Sequence, residues 1–199
     1  MANNHRNTQS RKVQKSIEMA EAYYGMVPNM IEAVNRHNPA VAQFYIAASE
    51  ALQNSNLQDN EREAVILTIS RYNDCHYCVR AHAALGYEAG LSEADIQDIN
   101  QGKLPAKKTL RGFVKATRLI LDKNGWLDAD DISQLEKYGI TRMHLYEINA
   151  LIAIKTLSNY INHIEQTQVD DAFEAMMPEN MDQAEWASIP EEALTTTVN

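Results

Sequence analysis

One segment of this 199-residue chain, residues 63–82, holds both cysteines together with a carboxylate and a histidine. Glu63 opens the segment, Cys75 and Cys78 follow, and His82 ends it. If the cysteine part is helical, the spacing i, i+3 and i+7 places Cys75, Cys78 and His82 on one helix face. Two thiols and an imidazole on one face are the parts of a dithiol redox site.

The local sequence also predicts an acidic thiol. Asp74, or Asn73 before it, is expected to cap a new helix, so the cysteines fall in its first turn. There the unpaired N–H groups and the helix dipole favour thiolate over thiol. A thiolate can attack a peroxide or a disulfide, and the second cysteine can then close a Cys75–Cys78 disulfide.

Proton transfer in such a site needs a base and a group that orients it. His82 can take the thiol proton, and Glu63 is the candidate carboxylate that orients His82. Cys75 follows Glu63 by twelve positions, which leaves room for one helix to end and the chain to turn. We therefore expect the carboxylate of Glu63 near His82 or Cys78.

Two other interpretations use the same residues. Cys75, Cys78 and His82 could bind zinc with Glu63 or His76 as the fourth ligand, but the sequence offers no second ligand pair from a distant segment. Alternatively, the cysteines are small buried residues and the histidine is a satisfied core side chain. The coincidence of three reactive residues on one face favours the dithiol, and no metal or cofactor is expected.

Composition and charge narrow the class of protein. The net charge of −9 comes from residues 165–199, which carry nine acidic residues and no Lys or Arg, whereas residues 1–164 balance at 18 of each sign. A neutral body without a basic stripe argues against a nucleic-acid partner. No apolar run is long enough to span a membrane, and the polar N-terminus does not resemble a secretory signal. A cytoplasmic protein is expected.

Apolar residues at helical spacing, with few Gly or Pro between them, predict an all-α chain of one domain. No segment shows sustained period-two alternation, so no strands are predicted. Residues 1–12 are expected to form a flexible leader. The predicted helices cover residues 13–24, Pro28 through Val34, Pro39 through Leu52, 57–72, 75–89, about Ser92 to Gly102, 106–123, about Leu127 to Gly139, and 143–163, the last capped by Thr141.

Shifting the chain by 84 residues reveals a weak internal repeat. Glu63 falls on Glu147, and the apolar run after each is similar in character. Cys75 falls on Asn159 and Cys78 on Asn162. We interpret the chain as two related helical units packed about a pseudo-twofold axis, the second without thiols.

The pattern Glu-x11-Cys-x-x-Cys-x3-His resembles the signature of the alkyl hydroperoxidase D-like (AhpD-like) branch of the carboxymuconolactone decarboxylase family. The opening GMVPNM, residues 25–30, is similar to the leader of its peroxidase-related members. The resemblance covers residues 20–175. It implies an all-α AhpD-like bundle that assembles as trimers or hexamers and reduces organic hydroperoxides. It also implies a dithiol, thioredoxin-like or lipoyl protein as reductant.

The resemblance further implies roles for single residues. Cys78 would attack the peroxide, the more exposed Cys75 would resolve it, and Glu63 and His82 would form the proton relay. The family's second histidine is replaced here by Tyr77, whose phenol can donate a hydrogen bond but transfers protons less readily at neutral pH. Carboxymuconolactone decarboxylase activity itself is not expected, because that branch lacks the dithiol.

Together these observations predict an AhpD-like dithiol peroxidase with an all-α domain over residues 13–168. Its candidate catalytic residues are Cys78, Cys75, His82, Glu63 and Tyr77. The alternative is a non-enzymatic redox sensor, or a partner-binding helical module, switched by the Cys75–Cys78 disulfide. The acidic tail, residues 169–199, is expected to dock on a subunit surface, with Met176, Met177, Met181 and Trp186 as anchors.

Overall fold

The computed structural model of the chain describes residues 2–177, with side chains described from residue 9 onward. Within that range the chain forms ten α-helices and no β-strand, which confirms the expected all-α fold. The helices are α1 (Ala2–Tyr24), α2 (Asn29–His37), α3 (Pro39–Gln53), α4 (Asp59–Tyr72), α5 (His76–Glu88), α6 (Glu93–Asn100), α7 (Lys108–Asp122), α8 (Ala129–Glu136), α9 (Arg142–Glu165) and α10 (Asp171–Met176).

Two helix starts follow the sequence signals. Asn38 Oδ1 accepts a hydrogen bond from the N–H of Ala40 at 3.2 Å, and Pro39 is the first residue of α3. The hydroxyl of Thr141 accepts from the N–H of His144 at 3.4 Å and so caps α9. The capping side chains fix where these helices begin.

The first helix is longer than predicted. It begins at Ala2, so residues 2–12, expected to be a flexible leader, are helical in the structure. No Gly or Pro occurs before Gly25, so the sequence contains no helix breaker that would stop α1 from extending toward the N-terminus.

A tight turn joins α4 to α5 and sets the position of the cysteines. Asp74 adopts a left-handed conformation with φ of 54°. The N–H of Cys75 donates to the carbonyl of Ser70 at 2.9 Å, and the N–H of Asp74 donates to the carbonyl of Arg71 at 3.1 Å. This is a Schellman motif that ends α4. Because that motif uses Asn73 and Asp74, neither caps α5 as predicted, and Cys75 is the N-cap residue instead.

Helix α4 forms the centre of the fold. All residues from Glu63 to Ser70 are buried, and the helix packs against α5, α6, α7 and α9. A helix that is covered on every side must present its one carboxylate in this run to another helix rather than to solvent. Despite this burial, no helix among residues 2–177 combines the length and apolarity needed to cross a membrane.

The two related units predicted from the repeat differ in one respect. The shift by 84 residues carries Asp59, the first residue of α4, onto Met143, next to Arg142, the first residue of α9. After that common start, the first unit breaks at Asp74, whereas α9 continues without interruption to Glu165. A single long helix therefore faces the broken α4–α5 pair.

The beginning of the acidic tail folds back on its own chain. Asp170 precedes α10, and its Oδ1 accepts a hydrogen bond from the N–H of Asn29 at 2.9 Å. Glu174 of α10 forms an ion pair with Arg80 of α5, and Phe173 packs edge-on against the ring of Tyr77. The predicted docking of the rest of the tail, including Met181 and Trp186, lies outside the described residues.

Candidate active site

The two thiols lie at the start of α5, inside the protein. Cys75 is 0% exposed and Cys78 is 3% exposed. Both are free thiols, and their side chains hydrogen-bond each other. Cys75 is not the more exposed of the pair, as the resemblance implied, because both thiols are buried in the core cluster that also contains Met30 and Ile154.

The surroundings of Cys78 favour its thiolate. Burial raises the pKa of the Cys78 thiol, whereas the hydrogen bond from Cys75 and the positive charge of Lys155 lower it. The amides of Asn159 and Asn162 lower it further, so the pKa falls to about 7. The pKa of Cys75 is raised instead, because its hydrogen bond to Cys78 and its burial both favour the protonated form. Cys78 is therefore the thiol of the pair that ionises near neutral pH, and Cys75 stays protonated beside it.

The amides beside the dithiol come from the thiol-free unit of the repeat. Asn162 Nδ2 donates to Cys78 Sγ at 3.2 Å, and the fully buried Asn159 accepts from Asn73 Nδ2 at 2.8 Å. These two asparagines are the residues onto which Cys78 and Cys75 fall when the chain is shifted by 84 residues. The repeat thus contained a signal that the sequence analysis did not use.

Glu63 of α4 and His82 of α5 are in direct contact. Glu63 Oε2 lies 2.8 Å from His82 Nδ1, and both side chains are almost completely buried. Burial and the charge of Lys155 lower the pKa of His82, and they outweigh the opposing effect of Glu63. The ring is therefore neutral at pH 7, with Nδ1–H donating to the carboxylate and Nε2 free to accept.

Lys155 of α9 completes this row of polar groups, and the sequence analysis did not identify it. Its Nζ lies 3.1 Å from His82 Nε2 and donates to the hydroxyl of Tyr45 at 2.8 Å. The side chain is buried, and no carboxylate in residues 9–177 forms an ion pair with it. One signal was present in the sequence, since Lys155 is the only charged residue in an apolar stretch of α9.

Tyr77 lies beside this row but is bonded elsewhere. Its hydroxyl donates to Asp170 Oδ2 at 2.7 Å. Burial and the neighbouring Asp170 carboxylate raise the pKa of Tyr77, so the phenol stays protonated and acts only as a donor. Among the hydrogen bonds of the described residues, none joins Tyr77 to His82 or Glu63. The structure therefore ties Tyr77 to the α10 region.

The geometry does not favour the zinc interpretation. Both nitrogens of His82 already have partners in Glu63 and Lys155, and His76 is exposed on another face of α5. Within the described part of the chain, no three His, Cys, Asp or Glu side chains are grouped in a way that could hold a metal ion.

A cavity of about 340 Å³ adjoins the polar row. Glu63, His82 and Lys155 form part of its wall, so a bound molecule would lie against them. The remainder is mainly apolar and aromatic, and includes Tyr24, Met30, Ile66, Leu85, Leu151 and Phe173. Such a lining suits an organic molecule with a small polar group directed at the lysine and histidine.

Several known proteins share this architecture. Residues 39–108 match the model of the carboxymuconolactone decarboxylase family. An uncharacterized peroxidase-related protein from Ralstonia eutropha JMP134, described as an alkylhydroperoxidase AhpD core, is 22% identical with a TM-score of 0.71, covering 84% of this chain and 90% of that chain. A peroxidase-related protein from Silicibacter sp. TM1040 is 19% identical with a TM-score of 0.68, covering 80% and 85%.

The debrominase Bmp8, whose structure is also known in complex with 2,3,4-tribromopyrrole, is 17% identical with a TM-score of 0.66 and covers 85% of this chain and 91% of its own. A search of curated proteins finds no significant match to this sequence. The shared feature of the solved structures is thus the fold.

Fold and site together define an all-α protein with the AhpD-like fold and a buried Cys-x-x-Cys pair beside a Glu–His contact. The segment matched by the family model contains Glu63, both cysteines and His82. The chain is thus similar to the carboxymuconolactone decarboxylase family over residues 39–108 and to the AhpD-like solved structures in fold.

Proposed function

We propose that this protein is a dithiol oxidoreductase that reduces organic hydroperoxides through Cys75 and Cys78. We base this on two free thiols buried at the start of α5, one of which, Cys78, accepts a hydrogen bond from Asn162 Nδ2 at 3.2 Å and has a lowered pKa. A thiolate is the nucleophile that peroxide reduction requires, and a thiol in hydrogen-bond contact is placed to resolve the product.

The two thiols supply the two electrons of the reaction, and the proton released when Cys78 ionises is the one that the alcohol finally carries. The Cys78 thiolate attacks the terminal oxygen of the hydroperoxide, so that an S–O bond forms while the O–O bond breaks. The alkoxide leaves with the electron pair and is protonated to the alcohol. The Cys75 thiol then attacks the sulfenic sulfur, which forms the disulfide and releases water. The dithiol has lost two electrons and the peroxide has gained them.

The contact between Glu63 and His82 supports a proton relay. The carboxylate fixes the tautomer of the ring by accepting from Nδ1–H, so Nε2 is directed toward Lys155. A proton can therefore pass along the row from the cavity side without any large movement of side chains.

The apolar cavity supports an organic rather than an inorganic peroxide. Burial of hydrocarbon contributes about 25 cal/mol for each Å² removed from water. An alkyl or aryl group placed against Tyr24, Ile66 and Phe173 would gain this contribution, whereas hydrogen peroxide would not. We therefore expect a bulky hydroperoxide, such as cumene hydroperoxide, to react faster than hydrogen peroxide.

A second dithiol must restore the reduced enzyme. A small dithiol, a thioredoxin-like protein or a lipoyl protein supplies the two electrons by thiol–disulfide exchange. We also propose that the protein is a homo-oligomer, a trimer or a hexamer. Large exposed side chains support this, because Trp126 is 84% exposed, Ile164 77% and Tyr146 73%.

Thiol titration tests the proposal directly. The reduced protein is treated with one equivalent of cumene hydroperoxide, and free thiols are counted before and after. We expect both thiols to disappear with one equivalent of alcohol formed. In Cys75→Ser the reaction should stop at the sulfenic acid, and in Cys78→Ser no peroxide should be consumed. Retention of both thiols in the unchanged protein would refute peroxide reduction.

Catalytic turnover separates an enzyme from a redox sensor. With an excess of dithiothreitol, an enzyme consumes many equivalents of peroxide, whereas a sensor is oxidised once and is not reduced at a useful rate. Reduction of Cys75–Cys78 by a dithiol at a rate matching peroxide consumption therefore supports catalysis. A single turnover followed by persistent disulfide would support the sensor alternative.

A second candidate is reduction of an aromatic halide by the same dithiol. The aromatic lining of the cavity favours a flat substrate, and Bmp8, a debrominase by name, shares the fold. In such a reaction the dithiol becomes a disulfide while carbon–bromine is replaced by carbon–hydrogen and bromide is released. The rate of bromide release from a bromopyrrole, compared with the rate of peroxide consumption by the same protein, shows which of the two reactions is faster.

A further inference from the structure

We propose that Lys155 is a catalytic residue of the dithiol site, which balances the charge of the Cys78 thiolate and protonates the oxygen that leaves the peroxide. The inference rests on the proposed hydroperoxide reduction. It rests on where the ammonium group lies: in the cavity wall, 3.1 Å from His82 Nε2, and without a carboxylate partner among residues 9–177.

A purely structural role does not explain a lysine at this position, because burying its charge is energetically unfavourable. Lys155 is only 7% exposed, and its two hydrogen-bond partners, the hydroxyl of Tyr45 and the ring of His82, are both neutral. A buried ammonium without a compensating anion costs several kcal/mol, and an apolar side chain of similar volume would fill the site more favourably. The thiolate of Cys78 supplies the missing negative charge, and the charge of Lys155 in turn lowers the pKa of that thiol.

The surrounding elements leave no competing anion in contact with the ammonium. Glu63 of α4 lies beyond His82 and binds the far side of the ring. The tyrosines are protonated at neutral pH, because burial raises the pKa of each. The titratable groups that interact with Lys155 are Cys78 and His82 of α5, Tyr45 of α3, and Tyr23 and Tyr24 of α1. Three charged residues of α4, Glu63, Asp59 and Arg62, line the same cavity, and Asp59 and Arg62 are paired with each other.

The proposed role closes the proton balance of the reaction. When Cys78 attacks the peroxide, the proton of the ammonium passes to the alkoxide, and alcohol and neutral amine result. When a dithiol later reduces the disulfide, the Cys78 thiol returns its proton to the amine. Each cycle therefore begins and ends with a thiolate and an ammonium, and in that state the ammonium donates to Nε2 of His82, whose ring Glu63 holds.

Alkylation of Cys78 tests the first half of the proposal without any peroxide. In Cys75→Ser, which keeps a hydroxyl donor beside Cys78, the rate of reaction with iodoacetamide against pH gives the pKa of the remaining thiol. Addition of Lys155→Met should raise that pKa by about one to two pH units, because an opposite charge is lost. Lys155→Arg should restore most of the shift, and the exposed Lys137→Met, which removes an equal charge, should change nothing. An unchanged pKa in Lys155→Met would overturn the counter-ion role.

A pair of oxidants tests the second half. Cumene hydroperoxide releases an alkoxide that needs a proton, whereas peroxyacetic acid releases a carboxylate that does not. At about pH 9 at least half of the thiol is ionised in both proteins. There, Lys155→Met in the Cys75→Ser background should slow oxidation by cumene hydroperoxide roughly 100-fold, whereas the rate with peroxyacetic acid should fall by no more than about twofold. Lys155→Arg should behave like Lys155→Met here, because arginine does not release its proton.

The outcomes separate this inference from the proposed function. Equal slowing of both oxidants by Lys155→Met, or equal rates in Lys155→Met and the parent, would exclude proton donation by Lys155. If the Cys75→Ser parent itself is not oxidised by cumene hydroperoxide, hydroperoxide reduction fails, and the alkylation series still decides whether Lys155 holds the thiolate. Circular dichroism and thermal melting of each variant show whether it is folded, so that a change in thiol pKa or oxidation rate is not mistaken for an effect of unfolding.

Discussion

The hydrogen bond between Tyr77 and Asp170 allows a quantitative prediction. The phenol donates to a carboxylate at 2.7 Å, and both residues are buried. Hydrogen bonds to charged groups contribute about 1.5–3 kcal/mol, so Tyr77→Phe should lower the free energy of unfolding by this amount. Asp170→Ala also removes the acceptor of the Asn29 N–H, which lies 2.9 Å away, and should cost roughly 3–5 kcal/mol.

The double variant, Tyr77→Phe with Asp170→Ala, isolates the free energy of the interaction between these two side chains. If the two side chains act together, Tyr77→Phe adds little once Asp170 is alanine, and the coupling free energy should be about 2 kcal/mol. Equilibrium unfolding in urea, followed by circular dichroism, measures the four proteins of the cycle. Tyr87→Phe is the matched control, because Tyr87 lies on the same helix, is 38% exposed and should change stability by less than about 0.5 kcal/mol.

Two results would refute this account of Tyr77. A coupling free energy below about 0.5 kcal/mol would show that the contact with Asp170 does not contribute to folding. A loss of peroxide turnover of about 100-fold in Tyr77→Phe, with stability unchanged, would give the phenol a catalytic role as a hydrogen-bond donor, as expected from the sequence.

Three further predictions concern the site and the tail. Glu63→Gln should slow peroxide turnover about 100-fold at an unchanged melting temperature, because the carboxylate that orients His82 is lost, and an unchanged rate would leave Glu63 with a structural role only. Asn162→Leu should raise the Cys78 pKa, now about 7, by roughly one pH unit, so alkylation near neutral pH slows, and an identical pH profile would contradict the hydrogen bond. Ending the chain before Asp170 should lower the melting temperature, because α10 and its contacts with α5 are removed. Unchanged melting and an unchanged sedimentation coefficient would show that the tail supports neither folding nor assembly.

Sequence periodicity predicted the elements that local signals determine. The helix starts at Asn38 and Thr141 follow from capping side chains, and the contact between Glu63 and His82 follows from two helices joined by a short turn. Such features depend on residues close together in the chain. The sequence around each helix start, and around the turn between α4 and α5, is therefore enough to predict these features.

The rest of the site depends on contacts between distant segments. Lys155 lies 73 residues from His82 and 110 from Tyr45, and periodicity shows which face of a helix is apolar but not which helix covers it. The burial of Cys75 was missed for the same reason, since it depends on where the turn at Asp74 directs the chain. The repeat was the one sequence feature that reached across this distance, because it related the cysteines to the asparagines of α9.

The continuity of α9 makes thiol acidity a property of the whole helix. Lys155, Asn159 and Asn162 occur at i, i+4 and i+7, so a single stiff rod carries the ammonium and both amides in a fixed mutual arrangement. The buried Ile148 lies about 10 Å away along the same axis, in a separate core cluster. A change in packing there that slides or rotates this helix moves the ammonium and both amides relative to the sulfur at once. Hydrophobic replacements remote from Cys78 can thus tune its reactivity while every polar residue around the sulfur stays the same.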